Sequence, residues 1–409
     1  MADTRAPAKS PPVTVVIAGM RFGYPHGLGA TARVHAYARG LVESGSRVRV
    51  VSLLTPDPGG AGPNVAPAGV HEGVPFEYAC GTRARASSFL GRRLLEAKVP
   101  LGLWSAARRA FRGSAGPRVI IAYTDQPNWI AFMGLLARLS GAKCIVEVCE
   151  MPLLYERGPL KRAGKRWLQD VLAYRLVDGF IAISTCLEDY VRLHSPARVQ
   201  SIRVPILVAA SDFDQGAVGL TAADPREIVY VGDLGHEGEV PDLLAAFALV
   251  APHYPDVVLR VVGEAAPAQL DHIVARTTEL GIAERVVFAG HVERARLPDL
   301  LCSATMHALL RRDALFSRAG FPTKLGEYLA SGRPVVVTAT GDIPRYLTHG
   351  VDAYMAPPGD PERFAAQMRY VLDHASEARE VGVRGRLVAQ RQFDYHRHGE
   401  RLCAFIRSL

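Results

Sequence analysis

The sequence lacks any apolar run long enough to span a membrane. A transmembrane helix needs ~18 or more apolar residues, and the longest candidate, residues 129–139, is interrupted by Arg138. The first dozen residues are polar and rich in proline and alanine, without the apolar core of a signal peptide. We therefore expect residues 1–12 to be a disordered tail and the protein to be cytoplasmic.

Cysteine pairs and metal-ligand patterns are also missing. The six cysteines are scattered without a C-x-x-C pair, which favours reduced thiols. The histidines do not show the spacing of metal ligands. His396 and His398 are two residues apart, but they lie in a polar terminal segment and are expected to be solvated. Asp212 and Asp214 have the spacing that holds a metal–diphosphate in some sugar transferases, but they do not follow a buried strand. We predict no metal and no cofactor.

Basic residues interleaved with aromatic ones are sparse, and aromatics make up only 8% of the chain. No RNA- or DNA-binding signature is present, so we expect no nucleic-acid partner. The net charge of +8 attracts anions of many kinds and does not choose among them. With 49% hydrophobic and 22% charged residues, the 409-residue chain is typical of a globular protein with two or three domains.

Apolar strands alternate with helical patterns along most of the chain. Near-continuous apolar strands spaced by helices indicate parallel sheets covered on both faces. The predicted strands are 13–18, 47–53, 75–79, 119–123, 144–148, 179–183, 201–205, 227–232, 257–262, 285–289, 306–310 and 334–337. The fold class is therefore α/β, with two doubly wound, Rossmann-like domains.

The alternation pauses at a small, polar and weakly periodic stretch and then restarts. We expect a first domain over residues 13–207, a linker over 208–224 and a second domain over 225–390. A terminal helix over 391–409 is expected to pack back on the first domain. Ligands of such sheets bind beyond the carboxyl ends of the strands, so the site should be the cleft between the domains.

The most informative segment is residues 321–337, which indicates a short helix between a loop and a buried strand. Pro322 suits the first helical turn and Gly332 suits a C-terminal cap. Lys324 and Glu327 lie three residues apart, so they share one helix face near its positive end. The lysine and free backbone N–H groups suit a phosphate, and the carboxylate suits sugar hydroxyls. This pattern indicates a nucleotide-sugar site.

The loop after the first strand contains Gly27 and Gly29. A strand–G-x-G–helix unit suggests dinucleotide binding, but Ala32 replaces the third glycine and no acidic residue ends the second strand. A more general interpretation is that the two glycines let backbone N–H groups approach a phosphate or a sugar. A plain tight turn is the alternative.

Two carboxylates, Glu147 and Glu150, close a predicted buried strand. Their position at its carboxyl end faces the expected cleft, where one of them could orient an acceptor hydroxyl or act as a base. The alternative is a helix-capping or salt-bridged acid.

Residues 157–167, from Arg157 to Trp167, form a basic and partly amphipathic stretch. Such a stretch could rest on an anionic membrane surface, which would make the protein peripheral on the inner face of the cell membrane. A solvated helix face is the alternative.

Together these features resemble the family 4 glycosyltransferases, which have the GT-B architecture of two facing Rossmann-like domains. The resemblance covers nearly the whole chain after residue 12. The matching motifs are the glycine loop, helix and second strand at 27–48, the strand at 181–184, the start of the second domain at 229–247, the nucleotide-base loop at 287–292 and the donor segment at 321–337. Their combination is specific, although each motif alone is modest.

The resemblance implies that a sugar passes from a nucleoside diphosphate sugar to an acceptor hydroxyl, with retention and without a metal. The acceptor would be a glycan, a lipid-linked molecule or a small molecule held by the first domain. The family's catalytic histidine has no clear match, and Glu147 or Glu150 stands near its place. The implied donor residues are Glu327 on the ribose, Thr323 and Lys324 on the diphosphate, Gly27 and Gly29 near the leaving group, and Gly290, His291 and Val292 near the base.

Three positions depart from the family pattern. The glutamate that usually contacts the donor sugar is replaced by Ala319, and two phosphate-binding cations are replaced by Asp233 and Glu237. These departures motivate one alternative, a catalytically inactive subunit that partners an active transferase; a sugar-nucleotide epimerase of the same shape is another. The candidates to replace the lost cations are Lys324, Arg311, Arg312 and Arg318.

Overall fold

The computed structural model describes residues 11–20, 22–27, 29–54, 64–82, 86, 88–154, 156, 158–214, 226–235 and 239–409. The chain divides into two compact units, Met1–Pro205 with Tyr395–Leu409, and Ile206–Asp394. The sequence-based boundaries at residues 207 and 390 lie near these divisions. The predicted tail falls mostly outside the described residues, as do residues 215–224 of the predicted linker.

The first unit is built on a sheet that has eight strands within the described residues. Their order is β3-β4-β2-β1-β5-β6-β7-β8, and every neighbouring pair is parallel except the β3–β4 hairpin. The central strand β1 has all six residues buried, as its apolar run predicts. The strands are β1 (Thr14–Gly19), β2 (Arg47–Ser52), β3 (Ala68–His71), β4 (Val74–Tyr78), β5 (Arg118–Tyr123), β6 (Lys143–Val148), β7 (Gly179–Ala182) and β8 (Gln200–Arg203).

Helices connect these strands and cover both faces of the sheet. Right-handed crossovers place the helix after β1 on one face and the helices that precede β5, β6, β7 and β8 on the other. The described helices are α1 (Gly29–Glu43), α2 (Phe89–Phe111), α3 (Pro127–Leu139), α4 (Pro159–Val171) and α5 (Thr185–His194). Ser184 caps α5 by accepting a hydrogen bond from the backbone N–H of Leu187.

The second unit contains a parallel sheet with six strands in its described part, in the order β11-β10-β9-β12-β13-β14. The strands are β9 (Arg226–Val231), β10 (Val257–Val262), β11 (Val286–Gly290), β12 (Met306–Leu309), β13 (Val335–Thr338) and β14 (Tyr354–Ala356). The helices are α6 (Glu239–Ala248), α7 (Pro267–Glu279), α8 (Leu297–Ser303), α9 (Leu315–Ala319), α10 (Thr323–Ala330), α11 (Ile343–Tyr346), α12 (Pro361–Asp373) and α13 (Ala375–Val388). Two parallel-sheet units confirm the α/β fold class predicted from the alternating pattern.

The terminal helix α14 (Tyr395–Ser408) packs on α1 in the first unit. The two helices approach so closely at Gly40 and Gly399 that a Cβ atom on Gly399 would lie 2.3 Å from the Gly40 backbone. Glycine at both positions is therefore a packing requirement, because no side chain fits between the backbones.

Two further expectations can be compared with the structure. Among the described residues, no helix combines the length and the apolarity that a bilayer span requires. Cys80, Cys144, Cys149, Cys302 and Cys403 lie within the described residues as thiols that take part in no disulfide.

Candidate functional site

Glu327 lies on α10 in the second unit, between two cations. Its Oε1 accepts a hydrogen bond from Nη1 of Arg294 at 3.1 Å, and its Oε2 accepts one from Nζ of Lys324 at 3.0 Å. The glutamate side chain is only 10% exposed, whereas Lys324 is 30% and Arg294 63% exposed. The two cations therefore connect a buried carboxylate to the surface of the protein.

The charge state of Glu327 follows from these neighbours. Burial alone raises the pKa of a carboxyl group, but Lys324 and Arg294 together hold the pKa of Glu327 below its ordinary value of 4.5. The group is thus ionised at neutral pH and can accept hydrogen bonds from hydroxyl groups.

The position of Glu327 is fixed by the residue that follows it. Tyr328 is fully buried, and its hydroxyl accepts from the N–H of Val231 at 2.6 Å and donates to the carbonyl of Val231 at 3.2 Å. The imidazole of His307 on β12 stacks on the Tyr328 ring, with centroids 4.5 Å apart, and bonds Ser331 Oγ at 3.0 Å. These contacts tie α10 to the carboxyl end of β9 and to β12.

Both ends of α10 lie within one residue of the sequence-based expectation. Pro322 is the N-cap and makes no side-chain capping bond, which leaves N–H groups of the first turn available to an anion. Thr323 begins the helix and is exposed. Gly332 adopts φ +74° directly after the C-cap Ser331, the left-handed conformation that glycine adopts without cost.

The predicted base loop begins where β11 ends. Gly290 has φ +64°, and its carbonyl accepts a hydrogen bond from the N–H of Gly263 at 2.9 Å. His291 is exposed and Val292 is half-buried. The loop leads directly to Arg294, so it delivers one of the two partners of Glu327.

The predicted substitute cations are already engaged with carboxylates. Arg311 Nε lies 3.3 Å from Glu239 Oε1, and Arg312 holds both oxygens of Asp242 at 2.5 and 2.7 Å. The Arg311 side chain is 11% exposed. The structure therefore ties these two arginines to α6, while Arg318 pairs with Asp313.

The positions that depart from the family pattern have local structural roles. Asp233 accepts a hydrogen bond from the N–H of Gly235 at 2.8 Å and so shapes the turn after β9. Ala319 ends α9 and is fully buried. Glu237 lies outside the described residues.

In the first unit, the glycine loop is braced by neighbouring side chains. A Cβ atom on Gly27 would lie 2.1 Å from Thr31 Oγ1, which itself donates to the carbonyl of Gly23 at 2.8 Å. Glycine is therefore needed at position 27 for close packing. Gly29 is the first residue of α1, and Leu28 lies outside the described residues.

Glu147 is held in a buried network at the end of β6. Its Oε1 accepts from Nε of Arg33 at 2.7 Å and its Oε2 accepts from the Tyr37 hydroxyl at 3.0 Å. Arg33 also donates to the carbonyls of Val204 and Pro205. Burial raises the pKa of Glu147, and the Arg33 guanidinium opposes that rise. With both oxygens occupied, Glu147 fits the alternative of a salt-bridged acid better than a base.

Glu150 is placed differently from Glu147. It is exposed and lines a cavity of ≈ 90 Å³ at the carboxyl ends of β5 and β6. Asp125 and Thr124 line the same cavity, and its apolar walls include Ile130 and Tyr174. The cavity thus combines an apolar body with carboxylates at its edge, which suits a ligand that presents a hydroxyl group.

Models of known protein families match both halves of the chain. Residues 29–206 match the glycosyl transferase 4-like domain, and residues 225–374 match the glycosyl transferases group 1. The chain belongs to the GT-B glycosyltransferases of the family 4 type. The family membership expected from the motifs is thereby confirmed.

Individual relatives of this glycosyltransferase family are distant. Glycogen synthase of Mycobacterium tuberculosis is 27% identical over 223 residues, covering 53% of this chain and 51% of that protein. The D-inositol 3-phosphate glycosyltransferase of Mycobacterium sp. (strain JLS) is 31% identical over 204 residues, covering 47% and 43%. The chain spans about half the length of the curated relatives it matches. The crystal structure of Anabaena Alr3699/HepE with UDP has a TM-score of 0.69 at 16% identity, covering 97% of this chain and 100% of that one.

Sequence reasoning missed two residues of the second-unit site. Arg294 was not proposed, although it is the first cation after the predicted base loop. His307 lies inside a predicted strand, where an isolated polar residue in an apolar run is the available signal. Arg294 contacts Glu327, and His307 contacts Tyr328 and Ser331. Each of these pairs is separated by more than twenty residues along the chain.

Proposed function

We propose that this protein transfers a glycosyl group from a nucleoside diphosphate sugar to an acceptor hydroxyl. The observation that carries the proposal is the ionised, largely buried carboxylate of Glu327 between Lys324 and Arg294, at the uncapped start of α10. Such a group binds vicinal ribose hydroxyls, and the adjacent cations and N–H groups bind phosphate. The HepE structures with UDP and with UDP-glucose support the choice of a nucleotide-sugar donor.

We assign the donor to the second unit. Glu327 takes the ribose, Thr323 and Lys324 take the diphosphate, and Gly290, His291 and Val292 lie beside the base. In this proposal Arg294 neutralises Glu327 until the ribose arrives, after which it can turn to the diphosphate. Arg311 and Arg312 are secondary candidates, because each would first have to leave its carboxylate partner.

We assign the acceptor to the first unit, in the cavity beside Glu150. There we assign Glu150 to the acceptor hydroxyl, and we assign the backbone N–H groups of the loop at Gly27 and Gly29 to the charge of the donor diphosphate. The acceptor oxygen attacks the anomeric carbon on the face from which the diphosphate departs, and its proton passes to the departing phosphate oxygen. This course retains the anomeric configuration and stabilises the leaving charge with Lys324 and the α10 dipole, without a metal or a cofactor.

A donor screen tests the proposal. The protein is incubated with a panel of nucleoside diphosphate sugars and with cell extract as acceptor source, and released nucleoside diphosphate is measured. Release that requires both donor and extract is the expected result. Conversion of a donor without extract would instead identify an epimerase, and donor binding without release would identify an inactive subunit. The family matches do not favour either alternative.

A second proposal concerns peripheral contact with an anionic membrane through α4. Leu160 and Trp167 on this helix are 88% and 63% exposed. Crossover geometry places α2 on the same face of the sheet, where Leu101 and Trp104 are 73% and 48% exposed. Both helices also carry several basic residues, which anionic headgroups attract. Arg157, where the predicted stretch begins, lies outside the described residues.

Vesicle flotation tests the membrane proposal. The protein should float with vesicles that contain phosphatidylglycerol and stay in solution with phosphatidylcholine alone. The charge-reversed variant Lys161→Glu with Arg162→Glu should lose flotation while keeping donor turnover on a soluble acceptor. Equal recovery of the wild type with both vesicle types would contradict the proposal.

A further inference from the structure

Three side chains that are remote in sequence meet beside the glycine loop of the first unit. His35 lies on α1, and His71 and Glu72 lie at the turn of the β3–β4 hairpin. One ligand atom from each of the three lies within 4.8 Å of the other two. His35 Nε2 is 3.1 Å from Glu72 Oε2, and His71 Nε2 is 3.8 Å from Glu72 Oε1. Both imidazoles therefore face one carboxylate.

The backbone at Glu72 is in a conformation that glutamate disfavours. Glu72 and Gly73 form the two-residue loop of the hairpin with φ +45° and +78°, the type I′ geometry for which Asn-Gly is preferred. A left-handed conformation costs a residue such as glutamate ~1–2 kcal/mol. Local turn chemistry thus does not explain a glutamate here, and a role for its carboxylate would.

The orientation of His35 is set by a buried tyrosine. The Tyr24 hydroxyl lies 2.7 Å from His35 Nδ1, and Tyr24 is fully buried. This contact leaves His35 Nε2 directed at Glu72. A hydrogen bond on the distant ring nitrogen is the usual device that orients a metal-binding histidine.

We propose that His35, His71 and Glu72 form a binding site for a divalent transition-metal ion of the zinc class. Imidazole nitrogens and a carboxylate oxygen are a ligand set of zinc. Zinc binds such atoms at ~2.0–2.1 Å, which places them roughly 3.3 Å apart around a tetrahedral ion. The separations of 3.1 and 3.8 Å already approach this value. The side chains are 18%, 29% and 51% exposed, so an ion can enter from solvent.

Two further residues, His26 and Arg39, lie next to the cluster. The exposed His26 ring lies with its centroid 5.5 Å from that of His71 and is a candidate for a fourth ligand. Arg39 Nη1 lies 3.3 Å from Glu72 Oε2 and competes with a cation for that oxygen. The Arg39 guanidinium also lies over the Tyr395 ring at 4.7 Å, so it keeps a partner when the ion binds.

A bound ion would hold the glycine loop to the hairpin. Tyr24 belongs to that loop, and its backbone exchanges hydrogen bonds with the Tyr78 hydroxyl of β4. An ion bound by His35, His71 and Glu72 would also fix α1, which follows this loop in the chain, to the turn of the same hairpin. The metal site goes beyond the proposed function, because none of its three ligands has a part in the proposed transfer. It departs from the expectation of no metal, which rested on spacing along the chain.

Zinc binding to the metal-free full-length protein tests the site. Equilibrium dialysis should find one tightly bound Zn²⁺ per chain, and the variant His71→Ala should bind it at least tenfold more weakly. Glu72→Asn should weaken binding equally, while the hairpin remains at least as stable because Asn-Gly suits the turn. The melting temperature without metal should therefore not fall in Glu72→Asn.

Two further variants separate this site from adventitious binding. His272→Ala removes an exposed histidine of α7 and should leave Zn²⁺ affinity unchanged. Arg39→Gln removes the competing cation and should tighten binding. The visible spectrum of bound Co²⁺ should lack thiolate features, which excludes the cysteines as ligands. Unchanged affinity in both His71→Ala and Glu72→Asn, or no tight binding by the wild type, would overturn the proposal.

Discussion

Lys324 and Glu327 place opposite charges on one helix face, and the proposed function needs each for a different part of the donor. We expect Lys324→Met to lower turnover by ~100-fold, because it removes a charge that stabilises the departing diphosphate. Steady-state kinetics with the donor found in the screen measures the effect. Lys143→Met is the matched control, since Lys143 is a surface lysine paired with Asp178 in the first unit. Wild-type turnover in Lys324→Met would refute its role.

Glu147 and Glu150 are three residues apart, but substitution should lower stability at Glu147 and turnover at Glu150. Glu147→Ala leaves Arg33 buried without its carboxylate, so we expect the free energy of unfolding to fall by ~3–5 kcal/mol. Glu150→Ala should leave stability unchanged and reduce turnover, because its side chain is exposed at the cavity that we assign to the acceptor. Denaturant unfolding and kinetics of both variants measure this division. A stable, inactive Glu147→Ala would show that Glu147 acts in catalysis.

For single residues, the sequence predicted those contacts whose two partners are close along the chain. Lys324 and Glu327 are three positions apart on one helix, so helical periodicity brings them together. Arg294 reaches Glu327 across 33 residues, and His35 reaches Glu72 across 37. Such pairs depend on how strands are ordered in a sheet, which local spacing does not reveal.

The elements α1 and α14 meet through two glycines, and their crossing provides a stability test. Gly399→Ala should lower the unfolding free energy by more than ~2 kcal/mol, since the new methyl group overlaps the Gly40 backbone. Gly164→Ala on α4 is the matched control, because nothing lies within 4 Å of its added Cβ. That control should gain up to ~1 kcal/mol from helix propensity. Equal effects of the two substitutions in denaturant unfolding would contradict the close crossing.

The strand β12 and the helix α10 are joined by a buried imidazole, which makes the second unit sensitive to acid. Burial lowers the pKa of His307 from 6.5 to about 3, so the unfolded chain binds a proton there that the folded chain excludes. The free energy of unfolding should therefore fall as the pH drops below 6.5, by up to ~1.4 kcal/mol per pH unit. In His307→Gln this part of the slope should vanish. If the unfolding free energy of His307→Gln had the same slope as that of the wild type between pH 6.5 and 4.5, the lowered pKa of His307 would be contradicted.

Elements with a strong apolar pattern were predictable, and elements without one were not. The twelve predicted strands each correspond to a described strand, with ends that differ by at most two residues. The strand β3 was missed because it is an exposed edge strand with no apolar run. The strand β14 was missed because it has only three residues.

For the whole molecule, the sequence was sufficient for the family and the fold class, because the motifs recur in a fixed order along the chain. Our proposal that the acceptor binds the first unit and the donor binds the second follows the same order of motifs. The acceptor itself is not encoded in a motif. The cavity that we propose for it is lined by the ends of β5 and β6 together with Ala30, Ile130 and Tyr174, and this surface exists only after folding.

The most direct test of the central claim is calorimetric titration of the wild type and Glu327→Ala with the nucleoside diphosphate sugar that the screen selects. Two hydrogen bonds from ribose to an ionised carboxylate should be lost, so we predict that the dissociation constant rises by at least ~10-fold. Glu362→Ala, which removes an exposed carboxylate on α12, should bind the donor like the wild type. Undiminished affinity in Glu327→Ala would contradict the account.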